Sequence, residues 1–131
     1  MKRCVFSFIL LFSLLVLLDS NKLIAAPNRY SVITLENWTP YAVSYIYRWG
    51  KGSQFQSNTI EPFGTYTHWW KFKHDNENWA PWFYIKIEGD PSGWYKLGSY
   101  FSPDTNVKNG RWYIIDMYDD NGYLEFYLDE Y

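Results

Sequence analysis

Hydrophobic and polar residues alternate along most of the chain beyond residue 29, with a period of two. In residues 82–88, for example, Phe83, Ile85 and Ile87 share one side. Such alternation is typical of β-strands that bury one face, and breaks rich in Gly, Pro, Asn and Asp separate the segments. The predicted strands are residues 30–36, 41–49, 54–60, 65–73, 82–88, 94–101, 111–118 and 123–129. We therefore predict an all-β domain, an antiparallel two-layer β-sandwich of seven to nine strands, with a flattened β-barrel as the alternative.

The last two strands can be aligned residue by residue. Asn121-Gly122 favours a two-residue turn with positive φ at both positions. This turn places Met117 opposite Phe126. It also places Ile115 opposite Leu128, so that these apolar side chains share the inner face.

A second hairpin is predicted around residues 89–93. With a five-residue loop at this position, Ile85 faces Leu97 and Tyr84 faces Gly98. A tyrosine ring opposite glycine can cover backbone that has no side chain of its own. In both hairpins one face is aliphatic, whereas the other mixes charged residues with Trp and Tyr.

Aromatic residues on faces that should contact water are the most unusual feature of the sequence. The candidate ligand-binding residues are Trp69, Trp79, Trp82, Tyr84, Trp94, Tyr100, Tyr123 and Tyr127. One interpretation is cross-strand packing, which stabilises a sheet by about 0.2–1 kcal/mol per pair. The other is a binding platform, because exposed rings offer flat apolar area to sugars, peptides or lipid headgroups.

The N-terminus has the organisation of a secretory signal peptide. A basic start at Lys2 and Arg3 precedes an apolar run from Val5 to Leu18, and small residues follow at Ala25-Ala26. We predict cleavage after residue 25, with an uncleaved anchor as the alternative. Residues 26–131 then form a single domain that is secreted or periplasmic.

Removal of residues 1–25 changes the charge and the cysteine content. The full chain has 12 basic and 14 acidic residues; the segment contains three of the basic ones and Asp19, which leaves 9 and 13, a net charge of −4. A domain with a negative net charge is unlike a nucleic-acid-binding protein, because the phosphate backbone binds basic surfaces. Cys4 is the only cysteine, so the remaining domain is predicted to fold without a disulfide.

The sequence contains no catalytic, metal or nucleotide motif. His68 and His74 are the only histidines, and their spacing from Asp75 and Glu77 matches no metal-binding motif. The acidic residues around 116–120 lack the order of a calcium-binding EF-hand loop. We therefore predict no enzyme activity, no cofactor and no metal.

The first half of the domain resembles the aegerolysins in layout. The shared features are Asn37-Trp38-Thr39, Arg48-Trp49-Gly50, the order Ile60 to Gly64, and the paired Trp69-Trp70. Aegerolysins are small, acidic, secreted β-sandwich proteins that bind membranes, so the resemblance implies membrane contact as an alternative function. The features are turn residues that other sandwiches also use, so no site residue is carried over.

Together these patterns predict a secreted, non-enzymatic binding module that uses an aromatic sheet face. The expected ligand is a carbohydrate, a peptide or another cell-surface molecule. The alternatives are a membrane-active protein that binds lipid headgroups, and a structural or interaction protein without a small-molecule site.

Overall fold

The computed structural model describes residues 28–74 and 76–131. The predicted signal peptide, Cys4 and Asp75 lie outside the described residues. Within these ranges the strands are β1 (Tyr30–Asn37), β2 (Val43–Trp49), β3 (Gln56–Ile60), β4 (Thr65–Lys71), β5 (Phe83–Ile87), β6 (Trp94–Leu97), β7 (Tyr100–Ser102), β8 (Arg111–Asp120) and β9 (Tyr123–Glu130). A single 3-10 turn, Val107–Asn109, is the helical element of the same ranges.

The strands form two sheets that pack face to face. Sheet 1 has the order β4-β1-β8-β9, with β7 also paired to β1, and sheet 2 has the order β3-β2-β5-β6. All pairs between described strands are antiparallel except the parallel pair β1–β8. In the described part of the chain no strand pairing joins the two sheets. The predicted β-sandwich is therefore confirmed, with one mixed sheet, and the flattened barrel is not formed.

The core lies between the sheets and consists of the residues that the alternation assigns to the inner faces. Sheet 1 contributes Ile33, Leu35 and Ile115, which are fully buried. Sheet 2 contributes Phe83 and Ile85, also without solvent exposure. Burying a side chain of this size stabilises a fold by about 1.5–3 kcal/mol. These residues fix which face of each sheet is left to solvent.

The β8–β9 hairpin has the predicted register. Met117 pairs with Phe126, and Ile115 pairs with Leu128. Asn121 and Gly122 have φ values of 52° and 88°, as a two-residue turn with two left-handed residues requires. The turn type alone therefore determined which side chains face the core.

The β5–β6 register was predicted wrongly by two residues. Tyr84 pairs with Lys96 rather than with Gly98, and the ladder ends where Lys86 pairs with Trp94. The loop is longer than expected because Asp90 organises it from within. The buried Asp90 carboxylate accepts hydrogen bonds from the Ser92 backbone N–H at 2.7 Å and the Tyr95 hydroxyl at 2.5 Å. A shift of two residues keeps every side chain on its predicted face.

The predicted strand 94–101 is divided between the two sheets. Its first part, β6, pairs with β5 in sheet 2, and its second part, β7, pairs with β1 in sheet 1. Gly98 lies at the crossing, where a Cβ atom would come within 2.6 Å of the Arg111 guanidinium. The Trp82 ring, rather than the Tyr84 ring, lies 3.8 Å from the position of this Cβ atom. The chain crosses here because glycine allows both side chains to approach its backbone.

The segment Asn37-Trp38-Thr39 forms the predicted turn. Asn37 is fully buried at the end of β1, and its side-chain amide donates to the Tyr41 carbonyl at 2.7 Å and the Ile60 carbonyl at 3.2 Å. Its side-chain oxygen accepts a hydrogen bond from the Thr39 backbone N–H at 2.9 Å. This turn ties β1 to the loops that precede β2 and follow β3.

Candidate ligand-binding face

The predicted site residues do not form one surface. Trp82, Tyr84 and Trp94 lie on the outer face of sheet 2, where Trp82 and Trp94 are about half exposed and Tyr84 is less exposed. Trp69 lies on the outer face of sheet 1, with its ring centre 5.6 Å from that of Tyr30 in an edge-to-face arrangement. The structure therefore divides the candidates between opposite sides of the sandwich.

The remaining candidates belong to sheet 1 or to a loop. Tyr127 on β9 packs against Tyr118 with ring centres 5.8 Å apart, and Tyr123 is exposed at the tip of the same hairpin. The Arg111 guanidinium lies 5.5 Å from the Tyr100 ring. Trp79 is 91% exposed in the loop before β5, and no ring contact involves it among the described residues.

Phe55 is a residue of the sheet 2 face that the sequence analysis missed. Its ring centre lies 5.2 Å from that of Trp94. Phe55 precedes β3 and Trp94 begins β6, the two edge strands of sheet 2, with β2 and β5 between them. Since three strand spacings cover roughly 14 Å, the two rings can meet only above the central strands. The sequence contains an indication that Phe55 is a site residue, because it is the only aromatic residue in the polar segment 50–59.

Arg48 contacts Phe55 and Tyr84 on the same face and was also missed. Its guanidinium carbon lies 4.4 Å from the Phe55 ring centre and 5.6 Å from the Tyr84 ring centre. One terminal nitrogen donates to the Lys51 carbonyl at 3.0 Å. The Arg48 Nε is buried without a hydrogen-bond partner, the only such side-chain atom in the described part of the chain. Stacking on both rings holds the planar group in one orientation.

A depression of about 680 Å³ lies over β2, β3 and β5 beside the Phe55–Trp94 pair. Ile46 forms part of its floor, and Lys86, which pairs with Trp94, lies on its border with the rings. The Ser44 and Thr59 hydroxyls contact each other at 2.9 Å within it. Glu88 lines the depression as well. The arrangement combines flat apolar area with hydroxyl and charged groups, as small-ligand sites do.

The outer face of sheet 2 carries three cations that have no acidic partner. Within the described ranges the single ion pair joins Arg111 to Glu130, so Arg48, Lys86 and Lys96 have none. The Lys96 ammonium lies 4.3 Å from the Trp82 ring centre, a cation–π contact of about 0.5–1 kcal/mol at an exposed site. These charges are therefore available to a ligand.

A second, smaller cavity of about 260 Å³ opens between the sheets near His68. Asn58 donates to the Tyr45 hydroxyl at 3.0 Å, and that hydroxyl lies 2.8 Å from His68 Nε2. Burial lowers the pKa of His68 to about 3, so the imidazole is neutral where it meets the tyrosine hydroxyl. Burial also raises the pKa of Tyr45. The bond links sheet 1 to sheet 2 within the interior.

The two histidines lie in different environments. His68 faces the interior, whereas His74 is exposed beyond the end of β4. Among the residues that the structure describes, no three His, Asp or Glu side chains lie close enough to hold a metal. The same residues include no helix long and apolar enough to cross a bilayer.

Comparisons with known proteins identify no relative. No family model, no curated protein and no solved structure matches the chain. No family match therefore supports the resemblance to the aegerolysins.

Proposed function

We propose that the protein is an exported, non-enzymatic binding module that holds a carbohydrate on the outer face of sheet 2. The observation that carries the proposal is the Phe55–Trp94 pair, two rings about half exposed beside a depression of about 680 Å³. The predicted signal peptide supports a ligand outside the cytoplasm.

The chemistry of this face matches that of a sugar. One side of a pyranose ring presents C–H groups that pack on a flat aromatic ring, as Trp94 offers. The sugar's hydroxyl rim needs both donors and acceptors, which Ser44, Lys86 and Glu88 supply in the depression. Aromatic rings lose little side-chain entropy when they bind, which makes them suitable platforms.

A carbohydrate fits this location better than an extended peptide. The depression lies over β2 and β5, whose backbone groups are already paired on both sides. A peptide that binds as an added strand needs an unpaired edge for its main-chain hydrogen bonds. Side-chain recognition from above the sheet, by rings and polar groups, is the mode that this face offers.

The distribution of exposed rings supports a carbohydrate over a lipid surface. Membrane binding requires aromatic residues grouped in one belt at the interface. Here Trp69 and Trp94 are exposed on opposite outer faces, and Trp79 is exposed in a loop. The non-enzymatic assignment is supported by His68, whose imidazole is buried and bonded to Tyr45.

Binding to a glycan array, followed by calorimetric titration of the best sugar, tests the proposal. We expect Trp94→Ala and Phe55→Ala each to weaken binding by at least about tenfold, or 1.4 kcal/mol, because each removes half of the ring pair. Trp79→Ala is the matched control, since it removes an exposed ring away from the face. Circular dichroism of each variant verifies that it is folded.

Two results would contradict the proposal. One is the absence of binding to every glycan on the array. The other is sugar binding that the folded Trp94→Ala and Phe55→Ala variants retain in full, which would place the site elsewhere.

A further inference from the structure

We propose that the bound carbohydrate is anionic, an oligosaccharide that carries carboxylate or sulfate groups; this inference rests on the function proposed above. It begins from the charge of the outer face of sheet 2. Arg48, Lys86 and Lys96 point to the same side as Trp94, and only Glu88 opposes them along the central strands. The face is basic although the domain after residue 25 has a net charge of −4.

The cations are placed where the proposed ligand lies. Lys86 pairs with Trp94 across the β5–β6 ladder and also lines the depression. Lys96 is the next outward residue on β6 and contacts the Trp82 ring. A sugar stacked on the Phe55–Trp94 pair would therefore have both lysines as neighbours.

Arg48 adds a group suited to carboxylate or sulfate. A guanidinium presents its N–H donors in a plane, and that plane matches two oxygens of one anionic group. The rings of Phe55 and Tyr84 hold the Arg48 group in place, and the described residues provide no carboxylate partner for it. An unpaired, preorganised cation at a ligand site favours an anionic ligand.

The spacing favours an oligosaccharide over a single sugar. Arg48 pairs with Tyr84, and Tyr84 pairs with Lys96, so the two cations originate two strands apart. Two strand spacings separate their backbone positions by roughly 10 Å, and the two charged groups lie against different rings, Arg48 against Phe55 and Lys96 against Trp82. A repeating acidic oligosaccharide can place separate anions at both positions.

The opposite face explains how an acidic domain can bind an anion in one place. Glu36, Asp116, Glu125 and Asp129 belong to the outer positions of sheet 1, where Lys71 is the only outward lysine of the strands. This face repels anions while the outer face of sheet 2 attracts them. The contrast directs an anionic chain to one side of the sandwich.

Titration with matched sugars tests the inference. The probes are tetragalacturonate, its fully methyl-esterified form, and a chondroitin sulfate tetrasaccharide, at about 50 and about 200 mM salt. We expect esterification to weaken binding by at least about tenfold, and the higher salt to weaken binding of the acid. Binding of tetragalacturonate or of the sulfated sugar identifies which anionic group is preferred.

Variants that remove single lysine charges show which face attracts the acidic sugar. Lys86→Gln and Lys96→Gln should each weaken binding of the acidic sugar by about threefold to tenfold and reduce its salt dependence. Lys71→Gln is the control, because it removes a lysine from the outer face of sheet 1. Binding of the methyl ester should not respond to Lys71→Gln, and it should respond to Lys86→Gln and Lys96→Gln less than binding of the acid does.

The outcomes separate this inference from the proposed function. If the acid and the ester bind with equal affinity and Trp94→Ala abolishes both, the ligand is a neutral carbohydrate. The inference of an anionic ligand would then be wrong, and the proposed function would stand. Equal weakening by Lys71→Gln and Lys86→Gln would also overturn it, because attraction would then be unspecific. Binding to no sugar, charged or neutral, would overturn both proposals.

Discussion

The outer faces of the two sheets contain similar residue types but use them differently. On sheet 1, the Tyr127 hydroxyl donates to Asp116 at 3.4 Å, and the Tyr118 hydroxyl donates to Glu125. The two rings also pack against each other. The polar groups of this face are thus partly satisfied by one another, as cross-strand packing requires.

On the outer face of sheet 2 the lysines lack such carboxylate partners. Phe55 and Trp94 contact each other above the sheet, and Lys86 and Lys96 have no ion-pair partner in the described part of the chain. A depression lies beside these rings, whereas sheet 1 shows self-satisfied tyrosine–carboxylate pairs at its hairpin. The comparison shows cross-strand packing of tyrosines on sheet 1, and it is consistent with the binding platform proposed for sheet 2.

The largest expected effect concerns the bond that joins the two sheets. His68 has a folded pKa of about 3, below its ordinary value of 6.5, so protonation favours the unfolded chain. The stabilising contribution of neutral His68 is complete above pH 6.5 and is lost as the pH falls toward 3. The free energy of unfolding should fall by about 1.4 kcal/mol per pH unit in this range, and by about 5 kcal/mol in total. Urea unfolding at several pH values measures it.

His68→Phe is the control for carboxylates that titrate in the same range. The variant should be less stable than the wild type at pH 7, because the Tyr45 hydroxyl loses a buried hydrogen-bond partner. The difference between the two proteins should shrink as the pH falls. A difference that stays constant with pH would show that His68 is not buried in its neutral form.

The next effect compares the core with the outer face of sheet 2. Ile85→Ala should lower the free energy of unfolding by about 2–5 kcal/mol, because Ile85 is fully buried between the sheets. Trp94→Ala should lower it by less than about 1 kcal/mol, because the ring is 46% exposed. Chemical denaturation gives both values. If Trp94→Ala proves as costly as Ile85→Ala, the ring belongs to the core and cannot serve as a platform.

The smallest expected effect comes from substitutions that compare the outer face of sheet 1 with that of sheet 2. Tyr127→Ala should cost about 1 kcal/mol, because it removes the packing against Tyr118 and the contact with Asp116. Its affinity for the proposed sugar should equal that of the wild type. Phe55→Ala should show the reverse pattern, with lost binding and little loss of stability. Reduced sugar affinity in Tyr127→Ala would mean that both faces contribute to the site.

The sequence predicted the local elements and the sides of the strands, because both follow from the alternation of residues. The register at Asn121-Gly122 was predictable since that pair permits few turn geometries. The register around Asp90 was not, because the loop length depends on hydrogen bonds from Ser92 and Tyr95. The split of the strand at Gly98 depends on Arg111, which is close only in the fold.

The site was predictable only in part for the same reason. Trp82 and Trp94 could be assigned to an outer face from their position in the strand pattern. The meeting of Phe55 with Trp94 depends on the strand order β3-β2-β5-β6, which no local pattern specifies. Sequence reasoning therefore found rings on both outer faces without separating a platform from packing.

The side-chain N–H signals of the tryptophans give the most direct test of the claim that sheet 2, and not sheet 1, holds the ligand. The purified protein is titrated with tetragalacturonate and followed by ¹H–¹⁵N NMR, with each signal assigned by substitution. Trp94 and Trp82 on the outer face of sheet 2 should shift with the sugar, whereas Trp69 on sheet 1 and Trp79 in the loop should not. Shifts confined to Trp69, or to Trp79, would contradict the account.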